Sequence, residues 1–179
     1  MTTPRLPLLC HPDALPPAGV GVTASATRTA DGGLALDYRL HGDLSALDLP
    51  AADTLLPPER LWAFTCLEAF VAKAGETAYV EFNFAPNGQW HRFAFSAYRQ
   101  GVTPPPAPAP QRELVRDTDG LRLGVRLAAA ALPAGPLQVG LTAVLLDRAG
   151  RHSYWALRHP PGRPDFHHRD GFVLDLPLP

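Results

Sequence analysis

Lysine, methionine and cysteine are almost missing from this chain. Lys73 is its one lysine, Met1 its one methionine, and Cys10 and Cys66 are the two cysteines among 179 residues. Arginine, alanine, proline and leucine are abundant instead, a bias that GC-rich coding produces, and no mechanism follows from it. Nothing in the placement of Cys10 and Cys66 points to a disulfide. Cys66 sits in an apolar run and reads as a small buried hydrophobe. Charge is also scarce, at 18% of residues with a net charge of −1. Without clustered positive charge the chain has no electrostatic footprint for nucleic acid or an anionic membrane surface. No run approaches the ~20 apolar residues of a membrane helix. The segment from Met1 to Pro17 has neither the basic start nor the apolar stretch of a signal peptide. A reduced, cytoplasmic setting and a small-molecule partner are the expectation.

Sustained helical periodicity is missing as well. Proline contributes 21 residues, and because it cannot donate to a helix or a sheet ladder, the segments between prolines are short. What is present is period-two alternation. Leu34, Leu36, Tyr38 and Leu40 alternate with Ala35, Asp37, Arg39 and His41. Leu121, Leu123, Val125 and Leu127 alternate with Arg122, Gly124 and Arg126, and Phe172, Leu174 and Leu176 with Val173 and Asp175. Further strands are expected near Val20–Thr27, Leu61–Val71, Thr77–Phe84, Gln89–Arg99, Leu137–Leu146 and Arg151–Arg158. Asp31-Gly32-Gly33, Asn87-Gly88 and Asp147–Gly150 supply Gly-containing turns between them. Loops or crossovers are expected over His41–Arg60, Pro104–Pro110 and Arg158–Asp170, and a helical turn over Leu127–Leu132. Eight to ten short strands joined in this way argue for one all-β domain across the chain, a two-sheet antiparallel sandwich.

The hairpin from Thr77 to Arg99 carries the functional information. A four-residue loop Ala85–Gly88 would set Asn83 against Trp90, Glu81 against Arg92 and Val80 against Phe93. One side then gathers Val80, Phe82, Phe84, Phe93 and Phe95 as core. The other gathers Tyr79, Glu81, Asn83, Trp90, Arg92, Ser96 and Tyr98. In the preceding strand, Trp62, Phe64, Cys66, Glu68 and Phe70 share a side. Placing Glu68 beside Glu81 and Arg92 gives its charge a partner, which burial requires. Aromatic rings among convergent polar groups make a face suited to a small polar ligand. The competing reading has the same face covered by another segment, with its charges forming a structural network.

The segments LWAFTCLEAF, YVEFNFAPNGQWHRFAFSAYR and SYWALRHPPGRPDFHHRDGFVLDL resemble the DOMON-like bacterial proteins, which are related to the family-nine carbohydrate-binding modules. The resemblance runs from Leu61 to the C-terminus and implies a β-sandwich binding sugar or haem at a sheet face or its rim. In the sugar-binding relatives a tryptophan and a glutamate six positions later hold the sugar, which implies that role for Trp62 and Glu68. It also implies Arg92 as the basic residue from the following hairpin. The relatives' second aromatic comes from the loop before the last strand, where this chain carries Phe166, His167 and His168. Haem-binding members use Met and His as axial ligands, and with no methionine beyond Met1 only a bis-histidine arrangement is open.

Four readings follow. The first is a non-catalytic module for a saccharide or similar polyol, using Trp62, Glu68, Asn83, Trp90, Arg92, Phe166 and His167, with no cofactor. The second is a metal or haem site in the His159–His168 loop built on His159, Asp165 and His168. Hydrogen bonding within the loop is the preferred explanation of those three residues. The third is a structural or interaction domain without a ligand. The fourth is an enzyme with Glu68 and Glu81 as paired carboxylates; Arg92 opposite Glu81 argues against it, because an adjacent positive charge keeps a carboxylate ionised.

Overall fold

The computed structural model describes residues 4–118 and 120–179. The alternating segments become antiparallel strands, as period-two patterning requires when one face is buried. In chain order these are β1 (Leu6–Pro7), β2 (Leu9–Cys10), β3 (Gly21–Arg28), β4 (Leu34–His41), β5 (Cys66–Lys73) and β6 (Tyr79–Phe84). There follow β7 (Trp90–Ala97), β8 (Gln100–Val102), β9 (Gln111–Asp117), β10 (Gly120–Leu127), β11 (Leu137–Leu146), β12 (His152–Ala156) and β13 (Leu174–Leu176). The smaller sheet runs β1-β3-β4-β10-β9, the larger β2-β12-β11-β5-β6-β7-β8, and β13 pairs with the start of β11. This is the expected sandwich. The strands beyond the expected eight to ten are mostly short pairings, β1 and β2 in the proline-broken N-terminal segment among them.

One core lies between the sheets. β4 and β10 contribute Leu34, Leu36, Tyr38, Leu40, Leu121, Leu123, Val125 and Leu127, and these meet Leu67, Ala69, Phe82, Phe84, Val139 and Leu141 of the larger sheet. The Tyr38 hydroxyl crosses the core and donates to the backbone carbonyl of Glu68 at 2.6 Å. That bond ties the smaller sheet to the strand carrying the site.

Two expectations are corrected. Leu61–Val71 is not one strand: Pro58–Ala63 forms a 3₁₀ helix and β5 begins only at Cys66. Pro57 and Pro58 supply a fixed φ and a first-turn proline, which favour a helical start over a ladder. The β6–β7 hairpin is also shifted by one residue. Its loop is Ala85–Gln89, closed by the Ala85 N–H donating to the Gln89 carbonyl at 2.9 Å, with Gly88 at φ +90°. Phe84 therefore faces Trp90, Phe82 faces Arg92, Glu81 faces Phe93 and Tyr79 faces Phe95. A one-residue slip moves every side chain of a strand to the opposite face. Trp90 and Arg92 join the inner side with Phe82 and Phe84, while Phe93 and Phe95 move to the outer side.

Candidate functional site on the outer face of the larger sheet

The site is assembled by register. Glu68 pairs with Asn83, and Phe70 with Glu81, across β5 and β6. Thr142 on β11 pairs with Glu68, and Tyr154 on β12 with Val144 of β11. Residues in register share a face, so Glu68, Phe70, Tyr79, Glu81, Asn83, Phe93, Phe95, Thr142 and Tyr154 all project outward.

The segment between β12 and β13 returns across part of this face. Phe166, His167 and Phe172 pack on Phe70, with ring centroids at 6.3, 5.2 and 5.8 Å. Gly140 makes room for it: a Cβ there would lie 3.1 Å from the Gly171 carbonyl and 3.3 Å from the Phe172 ring. Both readings of the face are thus present in one surface. One end is covered as a small second core, and the other is an open cleft of about 690 Å³. That volume lies within the range of small-ligand pockets. Glu68, Phe70 and Glu81 lie on its sheet side, with Phe93, Phe95, Val144, His152 and Tyr154 around them, and Pro164, Phe166 and His167 come from the returning segment. Arg60 and Trp62 enter from the 3₁₀ helix, and Arg99 from beyond β7. Trp62 is 49% exposed, its indole N–H donating to the Glu59 carbonyl at 3.3 Å.

Two buried carboxylates stand close together. Glu68 is 2% exposed and Glu81 5%. The Thr142 hydroxyl donates to Glu68 Oε2 at 3.2 Å, and Asn83 Nδ2 donates to Glu81 Oε1 at 2.9 Å. Glu68 Oε1 and Asn83 Oδ1 are buried without a hydrogen-bond partner. Burial, and then repulsion from Glu81, holds the Glu68 carboxyl well above the usual range. Burial likewise raises Glu81 to about 7, although the Asn83 hydrogen bond and the Arg99 charge oppose this. Among the described residues, the one basic nitrogen within 4.0 Å of either carboxylate is His167 Nε2, at 3.8 Å from Glu81. The pairing with Arg92 that would have kept Glu81 ionised does not exist, so that objection to acid–base chemistry falls.

A hydrogen-bonded wall closes one side. Asp165 accepts from the Tyr98 hydroxyl at 2.6 Å and from Arg99 Nη2 at 2.9 Å. Arg99 has φ +55°, a conformation costly for a side-chain-bearing residue. Its backbone N–H donates to the Tyr79 hydroxyl at 3.1 Å. Burial tends to raise the Asp165 carboxyl, but the Tyr98 and Arg99 hydrogen bonds and the Arg99 charge bring it below its ordinary value.

Of the residues singled out in the sequence, Trp62, Glu68, Phe166 and His167 line the cleft, and Asn83 lies beside it, bonded to Glu81. Trp90 and Arg92 do not reach it: Arg92 donates to the Pro105 carbonyl, and Trp90 packs against the inner core. Arg99, His152 and Tyr154 escaped the sequence reading. The signal for Arg99 was the register itself, since the true hairpin end brings it back over Tyr79. The loop candidates do not converge. His159 Nε2 bonds the Leu9 carbonyl at 2.8 Å, His168 Nδ1 accepts from the Asp170 N–H at 3.3 Å, and Asp165 serves Tyr98 and Arg99. No group of three or more His, Cys, Asp or Glu is disposed to hold a metal among the described residues. These side chains therefore do not fit a metal or a bis-histidine haem as they stand.

No protein-family profile and no curated protein sequence matches the chain. Solved structures do. A candidate carbohydrate-binding protein from Bacteroides uniformis aligns with a TM-score of 0.63 at 16% identity, covering 94% of this chain and 83% of that one. A family-nine carbohydrate-binding module from Caldicellulosiruptor kristjanssonii in complex with glucose aligns at 0.59 and 10% identity, covering 92% and 79%. A family-nine module from the same organism in complex with cellotriose aligns at 0.56 and 13%, covering 82% and 70%. At such identities the likeness is one of fold: the chain is a β-sandwich of the shape those modules share.

Proposed function

We propose that the chain is a non-catalytic module that binds a saccharide or a comparable polyol in the cleft between Trp62 and the Glu68–Glu81 pair. The observation that carries this reading is a pair of buried carboxylates overlooked by aromatic rings in a cleft open to solvent. Sugar rings have apolar faces that pack on aromatic planes and hydroxyl edges that need acceptors and donors. Trp62 offers a half-exposed plane at the rim, and the two carboxyls and His152 offer polar atoms. The fold neighbours bound to glucose and cellotriose give the reading further support.

The test is calorimetry of the wild type against mono- and disaccharides, repeated with Trp62→Ala and Glu68→Gln, alongside an assay for newly formed reducing ends. Binding by the wild type, a loss of at least tenfold in each variant and no new reducing ends are expected. Silence towards every sugar would overturn the reading. Steady release of reducing ends that Glu68→Gln abolishes would replace it with hydrolysis by the carboxylate pair.

A further inference from the structure

Resting on the saccharide reading, we infer that the cleft selects a sugar that carries a protonated amino group. Glu68 and Glu81 form a pair of buried acids with no Lys or Arg within 4.0 Å among the described residues. The arginines that line the cleft are engaged elsewhere. Arg99 binds Asp165, and the Arg60 guanidinium lies 5.8 Å from the Trp62 ring centroid. His167, the remaining nitrogen base near Glu81, is held neutral: burial, with the Arg99 charge adding to it, brings its pKa to about 4.

A buried carboxylate without a counter-charge is costly and stays protonated unless a cation arrives. Glu81, at about 7, is poised to ionise when one does. Glu68 Oε1, buried and without a partner, adds an unused acceptor beside it. An ammonium group has three donors and no acceptor, which complements such a pair better than a hydroxyl does. Phe93 and Tyr154 set aromatic rings in the lining of the cleft, and such rings attract a cation that comes over their faces. The groups acting on the pair are Cys66 from β5, Asn83 and Tyr79 from β6, Arg99 from beyond β7 and His167 from the returning segment; among the described residues Arg99 is the positive charge that acts on Glu81, and it is paired with Asp165.

Calorimetry at pH 7.5 with matched sugars tests this: glucose, galactose and mannose, each beside its 2-amino and its 2-acetamido counterpart. At least one amino sugar is expected to bind tenfold or more tighter than its neutral parent, and the acetamido form, which lacks the charge, is expected to lose that gain. In Glu81→Gln, checked for folding by its thermal midpoint, the ratio of amino to parent affinity is expected to fall to within about threefold. Equal binding of amino and neutral sugars, or an unchanged ratio in Glu81→Gln, overturns the amine preference while leaving the saccharide reading in place. No binding of any sugar overturns the saccharide reading, and this inference with it.

Discussion

The Tyr79 hydroxyl lies 2.8 Å from Nδ1 of His167 and also accepts the backbone N–H of Arg99. The hydroxyl keeps its proton and a second lone pair for the imidazole, so the His167 tautomer decides which of the two donates. His167 Nε2 lies 3.8 Å from Glu81 Oε2. Glu81 is buried and His167 partly buried beside it, both are favoured in their neutral forms, and their effects on stability run in opposite directions with pH.

Glu81 is raised from 4.5 to about 7 on folding, so the folded state holds more protons between those values. The stability this gives at low pH is lost as pH rises towards 7. His167 is lowered from 6.5 to about 4, so its contribution is present above 6.5 and lost as pH falls through 4. Glu68, raised as well, adds to the Glu81 trend. Urea denaturation of the wild type should show stability falling from pH 4.5 to 7, partly offset by His167. Glu81→Gln should gain on the wild type across that window by up to roughly 3 kcal/mol. Parallel curves for the two proteins would contradict the burial of Glu81 in its acid form.

Phe70 and Trp62 should separate core from site. Phe70 is 1% exposed and packs on Tyr79, Phe166 and Phe172. Phe70→Ala should cost about 3–5 kcal/mol. Trp62→Ala, at a half-exposed position, should cost under about 1 kcal/mol. Equal costs would place Trp62 in the core.

Asp165 should act on the wall rather than the core. Asp165→Ala removes the acceptors for Tyr98 and Arg99, a loss of about 1–2 kcal/mol for a partly solvated charged network. Amide exchange should quicken across 159–168 while β5 and β11 stay protected. Unchanged exchange in the loop would show that Phe166 and Phe172 hold it unaided.

Much of the fold was legible because one-sided burial writes period two directly into β4 and β10. The faces of β7 were not, because Asn87-Gly88 marks a turn without fixing whether its loop holds four residues or five. Gln89 decides it: its side chain accepts the Leu56 N–H at 2.7 Å and donates to the Leu56 carbonyl at 2.8 Å. These are contacts to a distant segment that no local pattern reveals. Glu68, Glu81 and Asn83 share the outer face as expected, because the β5–β6 register does not depend on that loop.

The same slip makes Arg92 a direct control. It sits on the inner side of β7 and donates to the Pro105 carbonyl. Arg92→Ala should loosen the Pro104–Pro110 segment, visible as faster exchange near Arg112, and leave sugar affinity within about twofold of the wild type. A tenfold loss of affinity would restore the rejected register.

The three tryptophans allow one decisive titration. Trp62 is at the cleft, Trp90 faces the inner core, and Trp155 is buried with its Nε1 donating to Ser153 at 3.0 Å. Their indole N–H resonances, assigned by substitution, should be followed by NMR while neutral and amino sugars are added. Saturable movement of the Trp62 signal alone is expected. Movement of Trp90 or Trp155 with Trp62 still, or no movement at any sugar concentration, would contradict a saccharide site in this cleft.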